Sequence, residues 1–168
     1  LKVLKAGKLE NNKGVHIINK KIELSCLTKK DIQAIEIAKK YKINYYALSF
    51  TNTIKDIKKF KKILPNKQRI YKIETSVALK NLDKFFKIEK NFLIDRGDLS
   101  KDIGLENVPI AQREIFKKKK KFKKVNVFVA TNFLESMVEN AQPSRAEIND
   151  IYNSLEIGCN GLVLASEL

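Results

Sequence analysis

The run RIYKIE at residues 69–74 sets Lys72 and Glu74 two positions apart. On an extended strand that spacing turns both side chains to one face and sends Ile73 to the other, against a helix. An ammonium beside a carboxylate makes either a structural ion pair or a catalytic pair, and spacing alone leaves both open. Asp98 comes later, in DRGDLS, directly after Arg96 and Gly97. Carboxylates of Glu74 and Asp98, delivered by neighbouring strand ends, can hold one Mg2+ or Mn2+ and leave positions open for water and an anionic substrate. Gly97 lets the backbone approach closely, so the amides of Gly97 and Asp98 can bind an anion. A further feature is the abrupt stop of VNVFVA at Thr131-Asn132, a hydroxyl and an amide where a buried strand ends.

Such groups need a frame to converge. From Ser25 onward helical and strand-like periods alternate. Helical spacing runs through LTKKDIQAIEIAKKYK, with Thr28 as N-cap and Asp31 three residues on, through TIKDIKKFKKIL before Pro65, through about 77–86, through about 109–121, and from Ser144 to about 157, where Glu147 completes a capping box. Short apolar strands are expected at 43–50, 69–74, 91–95, 125–130 and 161–165. Five strands separated by helices imply a parallel sheet in an α/β fold. No glycine-rich turn follows any strand, which disfavours an open dinucleotide-binding sheet and leaves the barrel. In a barrel the reactive groups sit at the C-terminal strand ends. Ser49, Lys72 with Glu74, Arg96-Gly97-Asp98 and Thr131 all fall there, which accounts for Thr131.

Composition limits the alternatives. The 168 residues are 43% hydrophobic and 32% charged, a globular balance. The net charge of +15 is mostly lysine spread over every segment, with only four arginines, Arg69, Arg96, Arg113 and Arg145, and no recognition motif; a nucleic-acid partner is not expected. The run KKKKKFKK at 117–124 reads as the cationic end of a helix. No apolar run reaches the roughly 18 residues that span a bilayer, and no signal-peptide core is present, so no membrane partner is expected. Cys26 and Cys159 have no metal-ligand neighbours and fit a reducing, cytoplasmic setting. His16 has no partner motif, and Leu1 in place of Met suggests a start inside a longer polypeptide.

Five stretches together carry a resemblance: KIET, DRGDLS, PIAQREIF, VATNFLESMVENAQPSRAEINDI and GCNGLVLASEL. In kind, order and spacing they resemble the pyruvate kinase family. KGVHI and IELSCLTKKDI are similar to the segment where that family's chain returns from its lid domain. The resemblance implies a partial (β/α)8 TIM barrel, parallel strands 4–8 with their helices, over residues 25–168, preceded by the end of the lid domain and a return linker over 1–24. It implies phosphoryl transfer between phosphoenolpyruvate and ADP, giving pyruvate and ATP, with Mg2+ or Mn2+ and commonly K+, in a homo-oligomer. Lys72 would stabilise the phosphoryl group in flight and the enolate oxygen. Glu74 and Asp98 would ligate the divalent metal, and the Gly97 and Asp98 amides with the Thr131 hydroxyl would hold the substrate carboxylate. Arg96 would brace the loop, and Glu135 and Arg145 would be structural.

The sequence also departs from the family pattern. Ala165 stands where a serine thought to help protonate the enolate is usual, with Ser166 next to it; Asn132 replaces a glutamine, and Asp95 a small residue. The family's first three strands, with phosphate-binding residues and the K+ ligands, have no counterpart here, nor has its regulatory domain. Five strands of eight leave two open edges, so the chain alone is not expected to turn over. Two other readings remain: a metal-dependent lyase or aldolase acting on pyruvate enolate without nucleotide, and a non-catalytic relative that binds a metabolite.

Overall fold

The computed structural model describes residues 6–8 and 25–164. Five parallel strands alternate with six α-helices: α1 (Lys29–Lys40), β1 (Tyr45–Leu48), α2 (Ile54–Ile63), β2 (Gln68–Ile73), α3 (Ser76–Ile88), β3 (Asn91–Asp95), α4 (Arg96–Ile103), α5 (Val108–Lys119), β4 (Asn126–Ala130), α6 (Arg145–Glu156) and β5 (Gly161–Val163). One-turn 3-10 helices lie at Leu105–Asn107 and Glu135–Val138. The strands lie in the order β1-β2-β3-β4-β5, each beside its sequence neighbour. Neighbouring parallel strands joined through helices form the repeating unit of a (β/α) barrel. The expected division at residue 24 falls outside the described residues.

Helix starts are written locally. Thr28 with Asp31, Thr53 with Asp56 and Ser144 with Glu147 form reciprocal capping boxes at α1, α2 and α6. Thr75 caps α3 through its hydroxyl, which accepts from the Ala78 amide. Lysines 117–119 occupy the last turn of α5, where the helix carbonyls favour cations.

Strand alternation decides where the core sits. Tyr71 and Ile73 of β2, Phe92 and Ile94 of β3, and Val127 and Val129 of β4 are at most 1% exposed. They pack beneath the helices with Phe60, Leu82, Phe85 and Ile115. The rings of Phe86 and Phe92 meet edge to face at 4.9 Å, and Phe60 meets Tyr71 at 6.0 Å. On the other face Ile70, Lys72, Leu93 and Phe128 are half-buried. Lys72, Leu93, Phe128 and Gly161 share one register row across β2 to β5. An added Cβ on Gly161 would stand 3.1 Å from the Phe128 ring, so glycine leaves that ring its place.

Two expectations change. Strand β1 covers only Tyr45–Leu48 of the expected 43–50, because Lys42 and Phe50 adopt left-handed conformations (φ 57° and 49°) on either side. Residues 96–103, where no helix is expected, form α4. The Asp95 carboxylate caps it and its oxygens replace the missing intrahelical partner at the Asp98 amide.

Candidate functional site at the C-terminal strand ends

The β2–β3 register pairs Ile73 with Ile94, so the next residues, Glu74 and Asp95, leave the sheet side by side. Glu74 is 1% exposed and Asp95 8%. Between them lies the Lys72 ammonium, 2.7 Å from Glu74 Oε1 and 2.8 Å from Asp95 Oδ2. Asp98, on the first turn of α4, completes the group: one oxygen each from Glu74, Asp95 and Asp98 lie within 4.8 Å of one another. Asp98 is half-buried and also accepts from Lys101 Nζ at 2.7 Å. The other Glu74 oxygen, Oε2, accepts from the Phe50 amide, which the left-handed turn after β1 aims at it.

The electrostatics follow from burial. Burial pushes the Glu74 carboxyl above its ordinary pKa, only partly opposed by Lys72 and the Phe50 amide. Burial works against the charged form of Lys72, but the close contacts and charges of Asp95 and Glu74 outweigh it and hold the ammonium above the usual lysine value. Glu74 Oε1 is fully buried and has no aligned hydrogen-bond donor; its contact with Lys72 is charge to charge. A buried carboxylate oxygen without a donor, beside two more acids, is a hard oxygen set of the kind that Mg2+ or Mn2+ takes, and the residues fit such an ion.

Thr131 stands beside this group. Its carbonyl accepts from Arg96 Nε at 3.0 Å and Nη2 at 2.5 Å; its hydroxyl accepts from the Gly97 amide at 2.8 Å and donates to the Ala130 carbonyl at 2.6 Å. The Asp98 amide donates to Asp95 Oδ1 at 3.3 Å. Both amides expected to face a substrate carboxylate therefore have internal partners. Added to Gly97, a Cβ would meet Thr131 Oγ1 at 3.5 Å, an ordinary contact, so the fold does not itself demand glycine there. Arg96 is 8% exposed, clamped to Asp150 of α6 at 2.7 and 2.8 Å, with its guanidinium 3.9 Å over the Phe133 ring. Its contacts brace α4, the loop after β4 and α6.

The loop after β4 holds itself in a costly shape. Thr131, Asn132 and Leu134 all have left-handed backbones, with φ of 70°, 59° and 57°. Asn132 donates to Glu135 Oε1 at 2.8 Å, and the Glu147 carboxylate accepts from the amide and hydroxyl of Ser136 as well as from Ser144. Arg145 opens α6. Ser49 is exposed beyond β1, and His16, Ala165 and Ser166 lie outside the described residues. Sequence reasoning registered Asp95 only as a departure and missed the Phe50 amide. The β2–β3 register would have revealed the first; nothing in a phenylalanine marks the second. A cavity of about 310 Å³ lies at the opposite end, by Lys90 and Val125, away from the acids.

With this geometry in place, comparison with known proteins is direct. The family model described as pyruvate kinase, barrel domain, matches residues 1–168. Pyruvate kinase of Thermotoga maritima is 36% identical over 165 residues, 96% of this chain and 35% of that protein. The Borreliella burgdorferi enzyme is 33% identical over 166 residues and that of Methanocaldococcus jannaschii 32% over 165. The chain spans about a third of the length of these curated relatives.

Proposed function

The chain belongs to the pyruvate kinase family, a family of phosphotransferases, and on that premise we propose that it serves phosphoryl transfer between phosphoenolpyruvate and ADP. The observation that carries this reading is the convergence of Lys72, Glu74, Asp98 and Thr131 on the rim where β2, β3 and β4 end. A bound divalent ion supplies Lewis-acid charge to substrate oxygens. Lys72 contributes a fixed positive charge where the phosphoryl group and the enolate oxygen build up negative charge, from a site half-screened from water. Glu74 and Asp98 supply oxygens to the ion. Thr131 Oγ1 and the Gly97 amide, which bond to each other here, exchange that bond for the substrate carboxylate. Arg96 keeps Thr131 in place through its carbonyl and touches no substrate. The two free cysteines fit a reducing cytoplasmic setting.

The test is pyruvate formation by the protein at its natural length, with phosphoenolpyruvate, ADP, Mg2+ and K+. Lys72→Met is expected to lower kcat by about 10²–10³-fold, the range for removal of one fixed transition-state charge, with a smaller change in KM. Full turnover in Lys72→Met overturns the reading. Enolate exchange that ignores ADP turns it toward a lyase.

A further inference from the structure

We propose that Asp95 is a third oxygen donor to the divalent ion, and that the Lys72 ammonium holds the ion's place between Glu74 and Asp95 until the ion displaces it. This deepens the reading above and rests on it. The resemblance leads one to expect a small residue at this position, and a carboxylate stands there instead.

Asp95 divides its work between its two oxygens. Oδ1 caps α4 by accepting from the Asp98 amide, and Oδ2 faces the Lys72 ammonium at 2.8 Å. An asparagine would cap as well as an aspartate, so capping does not explain a buried charge. Position does: Asp95 leaves β3 beside Glu74, and the three acids offer oxygens within 4.8 Å of one another. Oxygens facing each other across one Mg2+ lie about 4.2 Å apart, within reach of a small side-chain shift.

Charge points the same way. Three carboxylates against the Lys72 and Lys101 ammoniums sum to a formal −1, which favours a further cation among them; without Asp95 the sum is zero. Carboxylates packed this closely repel unless a cation lies among them. Lys72 is that cation here, with Glu74 Oε1 lacking any aligned donor. With Glu74, Asp95 and Asp98 holding an ion, the Lys72 ammonium would be freed from the acids to face the anionic substrate, so that ion binding and Lys72 release would be one event.

The test uses the protein at its natural length and Mn2+ alone, without substrate, counting free Mn2+ by its electron paramagnetic resonance signal. Asp95→Asn, which keeps the cap, is expected to weaken Mn2+ binding by about tenfold or more, since site affinity follows ligand charge. Lys72→Met, which removes the competing cation, is expected to tighten it several-fold. Wild-type affinity in Asp95→Asn, or unchanged or weaker binding in Lys72→Met, overturns the proposal. Glu74→Gln separates the two readings: lost Mn2+ binding there with normal binding in Asp95→Asn sinks only the role of Asp95. Normal binding in Glu74→Gln, Asp98→Asn and Asp95→Asn alike sinks the ion site itself.

Discussion

Glu147 gathers more donors than any other surface carboxylate described. The hydroxyl and amide of Ser136 come first, then the Ser144 amide at 2.7 Å and the Ser144 hydroxyl at 2.8 Å. These bonds favour the ionised form and hold its pKa down at about 2, against an ordinary 4.5. A carboxyl depressed in the folded state lends stability above its unfolded pKa and loses it as pH falls through the folded value. The contribution is therefore complete above pH 4.5 and fades toward pH 2. Urea unfolding across that window is expected to show a flatter acid limb for Glu147→Gln than for wild type; parallel limbs would mean the Ser136 bonds add nothing. The capping half of this arrangement was legible, because serine followed three residues later by glutamate before an apolar-periodic run has few other meanings. The Ser136 half was not, since it joins residues 11 apart across a loop whose left-handed backbone no local pattern announces. Asp95 falls between: its identity was visible, but its meaning needed the register that sets it beside Glu74.

At the scale of elements, Arg96 is the tie. It joins α4 to α6 through Asp150 and to the β4 loop through the Thr131 carbonyl and the Phe133 ring. Phe133 is 1% exposed. Phe133→Ala is expected to cost about 3–5 kcal/mol, and Phe133→Leu, which keeps most of the volume but not the π face, about 1–2 kcal/mol. The Phe133→Leu cost is expected to shrink in an Arg96→Lys background, where the planar stack is gone. Chemical denaturation of wild type, the two single variants and the double variant checks this, and an undiminished Phe133→Leu cost would assign Phe133 to packing alone. The alternation of helix and strand was readable because each element carries its own period and cap. Helix α4 was not, because DRGD reads locally as a turn. It becomes a helix only once Asp95 caps it and Leu99 is fully buried in the core.

Over the molecule as a whole, adjacent residues of β3 report on opposite environments. Phe92 is fully buried beneath α3, while Leu93 points to the other face and stays half-buried with Ile70 and Phe128. A closed barrel fills that second face with side chains from every strand. The described strands end at β1 on one side and β5 on the other, where Tyr45 is 74% and Val163 42% exposed. In the 168-residue chain on its own, Phe92→Ala is expected to cost about 3–5 kcal/mol and Leu93→Ala about 1 kcal/mol, because little apolar surface is lost from a face that water already reaches. Within the protein at its natural length the Leu93→Ala cost is expected to rise to about 2–4 kcal/mol as further strands cover that face, with Phe92→Ala unchanged. Equal costs for Leu93→Ala in both settings would mean that nothing closes over the Lys72 side of the sheet. Lys72 and Asp98, half-buried here, would then stay open to bulk water, where their charges are more strongly screened.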